Sequence, residues 1–230
     1  MLKGSTMNDS MNIRAVLFDL DGTLLDTALD LGGAANRLLA RDNLPLLTND
    51  VIYQTASQGS LALVKAGYGL SLSPEHYTRL RREFLDNYTA HINEQTTYFD
   101  GVNQLLDTLD KHNIIWGVVT NKPTLYTTQL LAHYPRLANC AVVICGDTLD
   151  VAKPDPRPLL LAAEKIDISP DRIMYVGDAR TDIEASVAAN MKSVAANYGY
   201  IPENDPTNTW NSDHLIDRCL DLCTILAIDE

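Results

Sequence analysis

The sequence predicts an α/β protein, a parallel β-sheet core carrying an inserted all-helical segment. Three observations carry that prediction. Apolar runs rich in β-formers alternate with helical patterns along most of the chain, as crossover-connected parallel strands require. Two of those runs, 114–119 and 141–145, are almost continuously apolar, which suits strands buried on both faces. Between Asp26 and about Gln95 the alternation stops, and helical spacing appears without a convincing strand.

In chain order, residues 1–11 are small, polar and aperiodic, and read as an extension without function, with Met7 or Met11 as alternative starts. A strand is expected at 15–19. Within the helical insertion, Ser73-Pro74-Glu75 reads as an N-cap followed by proline at the first helical position. After it, Tyr77, Leu80, Phe84, Tyr88 and Ile92 recur at helical spacing. Further strands are expected at 114–120, 141–145, 173–176 and 193–196, with a short sixth at 214–216. Helices are expected at 101–112, 124–133, 156–166 and 182–189. The domain layout is then core at 12–26, helical cap at 27–95, and core again at 96–230.

Composition narrows the function classes. At 230 residues, 46% hydrophobic and 21% charged, the chain is an ordinary globular one that can bury a substantial core. No apolar run approaches bilayer-spanning length and no signal-peptide core is present, so a cytoplasmic protein without a membrane partner is expected. A net charge of −12 disfavours nucleic acid as a partner. The nearest basic cluster, Arg79-Leu80-Arg81-Arg82, reads as a solvated helix face. Cys140, Cys145, Cys219 and Cys223 lack zinc-site spacing, and Cys140 and Cys145 flank a strand-like run where buried reduced thiols are expected. The five histidines also lack metal-ligand spacing.

Four chemical pieces follow one another. Val16-Leu17-Phe18-Asp19-Leu20-Asp21-Gly22-Thr23 ends an apolar run in two carboxylates spaced i, i+2, which project to one side if strand geometry persists. A divalent cation or shared proton chemistry would relieve their repulsion. Val118-Val119-Thr120-Asn121-Lys122 places a hydroxyl and an amide where a buried strand ends. Lys153-Pro154-Asp155-Pro156 fixes a lysine ahead of a helix, and Tyr175-Val176-Gly177-Asp178-Ala179-Arg180-Thr181-Asp182 is another strand ending in an acidic turn. Ligands of open parallel sheets bind outside the carboxyl ends of the strands, where three of these pieces would sit. Each alone has a plain structural reading, as a turn, a cap or a surface lysine; their order is what points to a phosphate site.

In that site, Asp19 is the nucleophile that forms an aspartyl-phosphate. Asp21 protonates the leaving oxygen and then deprotonates the hydrolytic water. Lys153, Thr120 and Asn121 hold the phosphoryl oxygens. Asp19, the Asp21 backbone carbonyl and Asp178 would hold Mg2+, with Asp182 binding through water or orienting the ligands.

These four motifs together resemble those of the haloacid dehalogenase-like superfamily, in its phosphatase branch, over about residues 12–217. The resemblance implies a Rossmann-like core with a helical cap inserted after the first strand, obligate Mg2+, and the roles just given. It also implies that Gly22, Thr23 and Lys122 belong to the phosphate site. Asp21 favours phosphate chemistry, because the founding dehalogenases lack that second aspartate. Phe18 to Thr27 and Thr120-Asn121-Lys122-Pro123 are similar to phosphoglycolate phosphatases, and 2-phosphoglycolate is the expected substrate. Trp116 to Pro123 and Tyr198-Gly199-Tyr200-Ile201 are also similar to N-acetylmuramic acid 6-phosphate phosphatases, and β-phosphoglucomutase-like phosphoryl transfer is a further alternative. Ala179 departs from the Ser or Asp of many relatives.

Substrate choice is expected from the cap. Ser57-Gln58-Gly59-Ser60 resembles the family's specificity loop and is equally readable as an interhelical turn. Hinges are expected at 26–28 and 94–99. Arg180 either reaches substrate or pairs with Asp182, and Tyr198-Gly199-Tyr200 either borders the site or forms a packed turn. A small phosphorylated metabolite is the expected partner, and the protein is expected as a monomer or homodimer.

Overall fold

The computed structural model describes residues 13–69 and 71–229, so the expected extension at 1–11 lies outside the described residues. The first half contains β1 (Ala15–Phe18), β2 (Leu25–Asp26), α1 (Ala28–Arg41), α2 (Asn49–Thr55), α3 (Ser60–Tyr68), α4 (Pro74–Ala90) and β3 (Thr97–Tyr98). The second contains α5 (Val102–Lys111), β4 (Ile115–Val119), α6 (Thr124–Leu131), α7 (Pro135–Ala138), β5 (Val143–Ile144) and α8 (Arg157–Ile166). It closes with β6 (Ile173–Gly177), α9 (Arg180–Ala188), β7 (Lys192–Ala196), β8 (His214–Ile216) and α10 (Asp221–Leu226).

Six strands form a parallel sheet in the order β5-β4-β1-β6-β7-β8. Both faces are buried, which explains the lack of polar alternation in the sequence. Val16 and Phe18 of β1 pack into one core with Val118 and Val176, while Ala15 and Leu17 pack into another with Val119 and Tyr175. The chain moves outward from β1 to β4 and β5, then returns to the other side of β1 for β6. That reversal opens a crevice at the carboxyl ends of the central strands.

Two features differ from the sequence expectation. The strand expected at 141–145 is reduced to β5, an edge strand held from one side only, although Val142 O still accepts from Val118 N at 2.8 Å. Cys140, expected buried, is therefore half-exposed, while Cys145 is buried and all four cysteines are free thiols. The second feature is a two-residue antiparallel ribbon, with Leu25 opposite Tyr98 and Asp26 opposite Thr97, too short to leave a periodic signal.

Helices α1 to α4 occupy the stretch read as an insertion. The Ser73 side chain accepts from His76 N at 3.3 Å and Pro74 opens α4, as the sequence indicates. Leu80, Phe84 and Tyr88 of that helix are buried with Leu38 of α1 and Leu63 of α3. Where the chain enters these helices, Thr27 offers α1 no side-chain cap. The Tyr200 hydroxyl, reaching from the loop after β7, accepts from Thr27 N at 2.6 Å and Ala28 N at 2.9 Å. It donates to Asp26 Oδ1 at 2.9 Å. Where the chain leaves, buried Asp30 accepts from Gln95 N and Thr96 N at 3.0 and 2.9 Å. Among the described residues, no helix is long and apolar enough to cross a membrane.

Candidate active site

Asp19 follows β1, Thr120 follows β4 and Asp178 follows β6, three neighbouring strands of the parallel sheet. The sheet therefore brings these residues, far apart in sequence, to one edge. Lys153 arrives from the loop before α8. Its position is set by Asn121, whose side chain accepts from Lys153 N and donates to Lys153 O, both at 3.0 Å.

The Lys153 ammonium is buried among acceptors. It donates to Asp182 Oδ1 at 2.6 Å, Tyr175 OH at 2.7 Å and Val119 O at 3.0 Å, and pairs with Asp19 Oδ1 at 3.1 Å. Burial alone would lower its pKa, but Asp182 and Asp19 outweigh that and raise it, so the lysine stays charged. The second Asp182 oxygen accepts from Ala179 N at 3.0 Å, which caps α9 and starts it at Arg180, two residues before the expected position.

Carboxylate oxygens of Asp19, Asp178 and Asp182 lie within 4.8 Å of one another. Asp178 is held in place by Thr23 Oγ1 at 3.0 Å and Tyr200 N at 2.9 Å. Gly22 closes over it with φ +85°, a left-handed conformation, and a Cβ there would lie 2.0 Å from Asp178 Oδ2. Burial, with Asp19 and Asp182 adding repulsion, pushes the Asp178 pKa well above the usual carboxylate range. Asp19 rises to about 6, chiefly by burial; Lys153 opposes the rise, and Asp182 and Asp21 add to it. Three carboxylates thus face one ammonium. Asp19 Oδ1, buried, has the Lys153 ion pair but no hydrogen bond of good geometry. An all-oxygen donor set with uncompensated negative charge fits a hard divalent cation.

Asp21 lies outside that cluster. Its Oδ1 accepts from Lys122 Nζ at 2.9 Å and from Thr27 Oγ1 at 2.6 Å. Lys122, read as a phosphate ligand, is thus engaged by Asp21; burial lowers its pKa, but Asp21 more than reverses this. Thr23, also read as a phosphate ligand, donates to Asp178 instead. Thr120 Oγ1 accepts from Lys122 N at 3.2 Å. Arg180 forms an ion pair, but with Asp205, its Nε 3.0 Å from both oxygens, because Asp182 is turned inward to Lys153.

A cavity of about 230 Å³ joins this edge to the helices. Asp19, Asp21, Thr120, Asn121, Lys122 and Asp178 line its floor. Ser57 and Gly59 line the facing wall, whereas Gln58 is exposed, turned away, and not part of the lining. Ser60 of the expected loop lines it too, and two further residues of that wall, Arg81 and Tyr88, were not read as site residues in the sequence. Tyr88 was legible as an apolar-stripe position, and Arg81 lies seven residues before it, two helical turns along the same face. Tyr198-Gly199-Tyr200 is a packed turn that also backs the site, with Gly199 against the Asp178 side chain.

Comparison with known proteins agrees with this geometry. The family model for haloacid dehalogenase-like hydrolases matches residues 16–196. An N-acetylmuramic acid 6-phosphate phosphatase of Pseudomonas aeruginosa is 39% identical over 217 residues, covering 94% of this chain and 96% of its own. A phosphoglycolate phosphatase of Xanthomonas campestris pv. campestris is 40% identical over 205 residues, covering 89% and 92%. The crystal structure of a predicted phosphoglycolate phosphatase from Haemophilus somnus 129PT superposes with a TM-score of 0.81 at 26% identity, covering 93% of this chain and 98% of that one. With a Rossmann-like sheet that gathers the four motifs at one edge, the chain belongs to the haloacid dehalogenase-like hydrolase family, as a phosphoric monoester hydrolase.

Proposed function

We propose that this phosphatase is Mg2+-dependent, hydrolyses a small phosphate monoester through an aspartyl-phosphate on Asp19, and has 2-phosphoglycolate as its substrate. The observation that supports it most is the position of Asp19, at the end of the central strand, between the Lys153 ammonium and the Asp178 and Asp182 carboxylates.

Asp19, Asp178 and Asp182 would hold Mg2+, which supplies the positive charge that lets a dianionic ester approach a carboxylate. An Asp19 oxygen attacks phosphorus, the bond from phosphorus to the ester oxygen breaks, and the departing oxygen takes its proton from Asp21. Asp21 then removes a proton from the water that attacks the acyl phosphate, releasing inorganic phosphate and restoring Asp19. Lys122 Nζ and Thr27 Oγ1 both donate to Asp21 Oδ1 and hold the side chain in place for these transfers. Lys153 balances charge on the phosphoryl oxygens, with Thr120 beside it. Asn121 acts largely through its grip on the Lys153 backbone.

In this reading, residues 27–95 act as a cap on a core of 12–26 and 96–230, closing around the ribbon at 25–26 and 97–98 to exclude water. Ser57 and Gly59 then meet the alcohol half of the substrate. The substrate is a cytoplasmic metabolite.

A second substrate reading, N-acetylmuramic acid 6-phosphate, is favoured by the Pseudomonas relative, which matches over 94% of the chain. The deciding experiment is kcat/KM for both esters with Mg2+ and with EDTA, in the wild type and Asp19→Asn. A preference of about a hundredfold, near 2.7 kcal/mol, would identify the substrate. Turnover in EDTA, or by pure Asp19→Asn protein, would refute the mechanism.

A further inference from the structure

We infer that Arg81 is the specificity-determining residue that recognises the carboxylate on the alcohol half of the substrate, the group that 2-phosphoglycolate and N-acetylmuramic acid 6-phosphate share. This rests on the phosphatase reading above and adds a second charged contact on the opposite wall of the cavity.

The first observation is charge left uncommitted. Two cations line the cavity among the described residues, Lys122 and Arg81. Lys122 is held by Asp21. Among the described residues no carboxylate pairs with Arg81, an exposed side chain whose hydrogen bond there runs from Nε to Ser60 Oγ at 3.2 Å. The chain is strongly acidic, and two other arginines near α4, Arg41 and Arg79, both pair with Glu83. An arginine left unpaired at the wall of a binding cavity is poised for an anion.

The second observation is the cradle around it. Gly59 and Ser60 line the same wall, and α3 starts there without any side-chain cap, because Gly59 offers none. The positive end of that nine-residue helix and the Ser60 hydroxyl therefore stand beside the guanidinium.

The third observation points independently to a ligand. Tyr88 is 1% exposed and lines the cavity with the Lys122 ammonium 4.7 Å from its ring centroid, and among the described residues its hydroxyl makes no hydrogen bond of good geometry. A buried hydroxyl left unsatisfied costs about 1–3 kcal/mol, which a bound polar group would relieve. Arg81, Phe84 and Tyr88 form one stripe of α4. The stripe thus offers a cation at one end, an apolar ring between, and a neutral donor at the other.

A carboxylate suits this wall better than a second phosphate. One planar guanidinium matches one carboxylate through two parallel hydrogen bonds, whereas a phosphate dianion would bring two charges to a single cation.

The test uses two matched pairs of esters that differ in the acid group: 2-phosphoglycolate against ethyl phosphate, and N-acetylmuramic acid 6-phosphate against N-acetylglucosamine 6-phosphate. In at least one pair the wild type should favour the acid by about tenfold or more in kcat/KM, the scale of a charged hydrogen bond. Arg81→Gln should collapse that ratio to within about threefold, and Arg81→Lys, which keeps the charge but not the fork, should fall between. A wild-type enzyme indifferent to the acid in both pairs overturns the inference without any variant. So does an Arg81→Gln protein, folded by circular dichroism, that keeps the wild-type ratio. Absence of Mg2+-dependent phosphate release from all four esters is a different result: it defeats the phosphatase reading, and this inference falls with it.

Discussion

Lys153 and Asp182 meet at 2.6 Å with both side chains 1% exposed, so the ion pair is shielded from solvent on all sides. Asp182 divides its two oxygens between Lys153 and the N–H of Ala179, the residue just before α9, linking the charge of the site to the start of a helix.

Removing one member of such a pair leaves an uncompensated buried charge. Asp182→Ala should cost about 3–5 kcal/mol in urea unfolding, because Lys153 loses its shortest contact and α9 its cap. Asp182→Asn keeps an acceptor for Ala179 N and should cost less. A loss under about 1 kcal/mol for Asp182→Ala would show that Asp19 alone satisfies the lysine.

Gly22→Ala tests the packing over Asp178. The left-handed φ of +85° and a Cβ 2.0 Å from Asp178 Oδ2 leave no room for a methyl group. The variant should fold, as judged by far-UV circular dichroism, but lose most of the thermal stabilisation that Mg2+ confers on the wild type. Retention of the full Mg2+-induced Tm shift would mean that Asp178 does not hold the ion.

The metal-free protein should show an inverted pH dependence at Asp19. Its pKa is raised in the fold to about 6, mainly by burial, from a value near 3.8. Across that window the native state keeps a proton that the unfolded chain has released. The stability from this group is therefore present below about pH 4 and lost as pH rises through about 6. In EDTA, the urea midpoint of Asp19→Asn minus that of the wild type should grow between pH 4.5 and pH 7. A constant difference would place the ionisation of Asp19 in the ordinary range.

Tyr200→Phe removes the hydroxyl that caps α1 from across the structure. It leaves Thr27 N without its Tyr200 acceptor and Ala28 N with only the longer bond to Asp26 Oδ1 at 3.3 Å, and should lower stability by about 1–2 kcal/mol, the scale of a lost N-cap. Because those amides lie where the chain enters the proposed cap, kcat should change as well as Tm. An unchanged kcat would confine Tyr200 to a structural role.

Much of this architecture was legible because it depends on local patterns. Continuous apolar runs mark strands buried on both faces, and Ser73-Pro74 marks the start of α4 through its own hydrogen bonding. The carboxylates after β1 and β6 were legible because a parallel sheet places residues that follow its strands at one edge. Residues whose role depends on distant partners were not legible. Thr23 and Lys122, placed in the phosphate site by the resemblance, bond Asp178 and Asp21, 155 and 101 positions away, contacts that no local pattern indicates. Arg180, expected either to reach substrate or to pair with Asp182, pairs with Asp205, which reaches it through the loop after β7.

The sequence by itself determined the sheet, the interruption after its first strand and the identity of the chemical groups, because periodicity and short-range capping are properties of adjacent residues. Only the tertiary structure decided which charges meet. It committed Lys122 to Asp21 and left Arg81, among the described residues, without a carboxylate partner on the cavity wall. It also set a tyrosine from beyond β7 to cap a helix near the start of the chain. Those outcomes follow from burial and strand order, which bring distant groups within hydrogen-bonding range and leave no trace in local sequence.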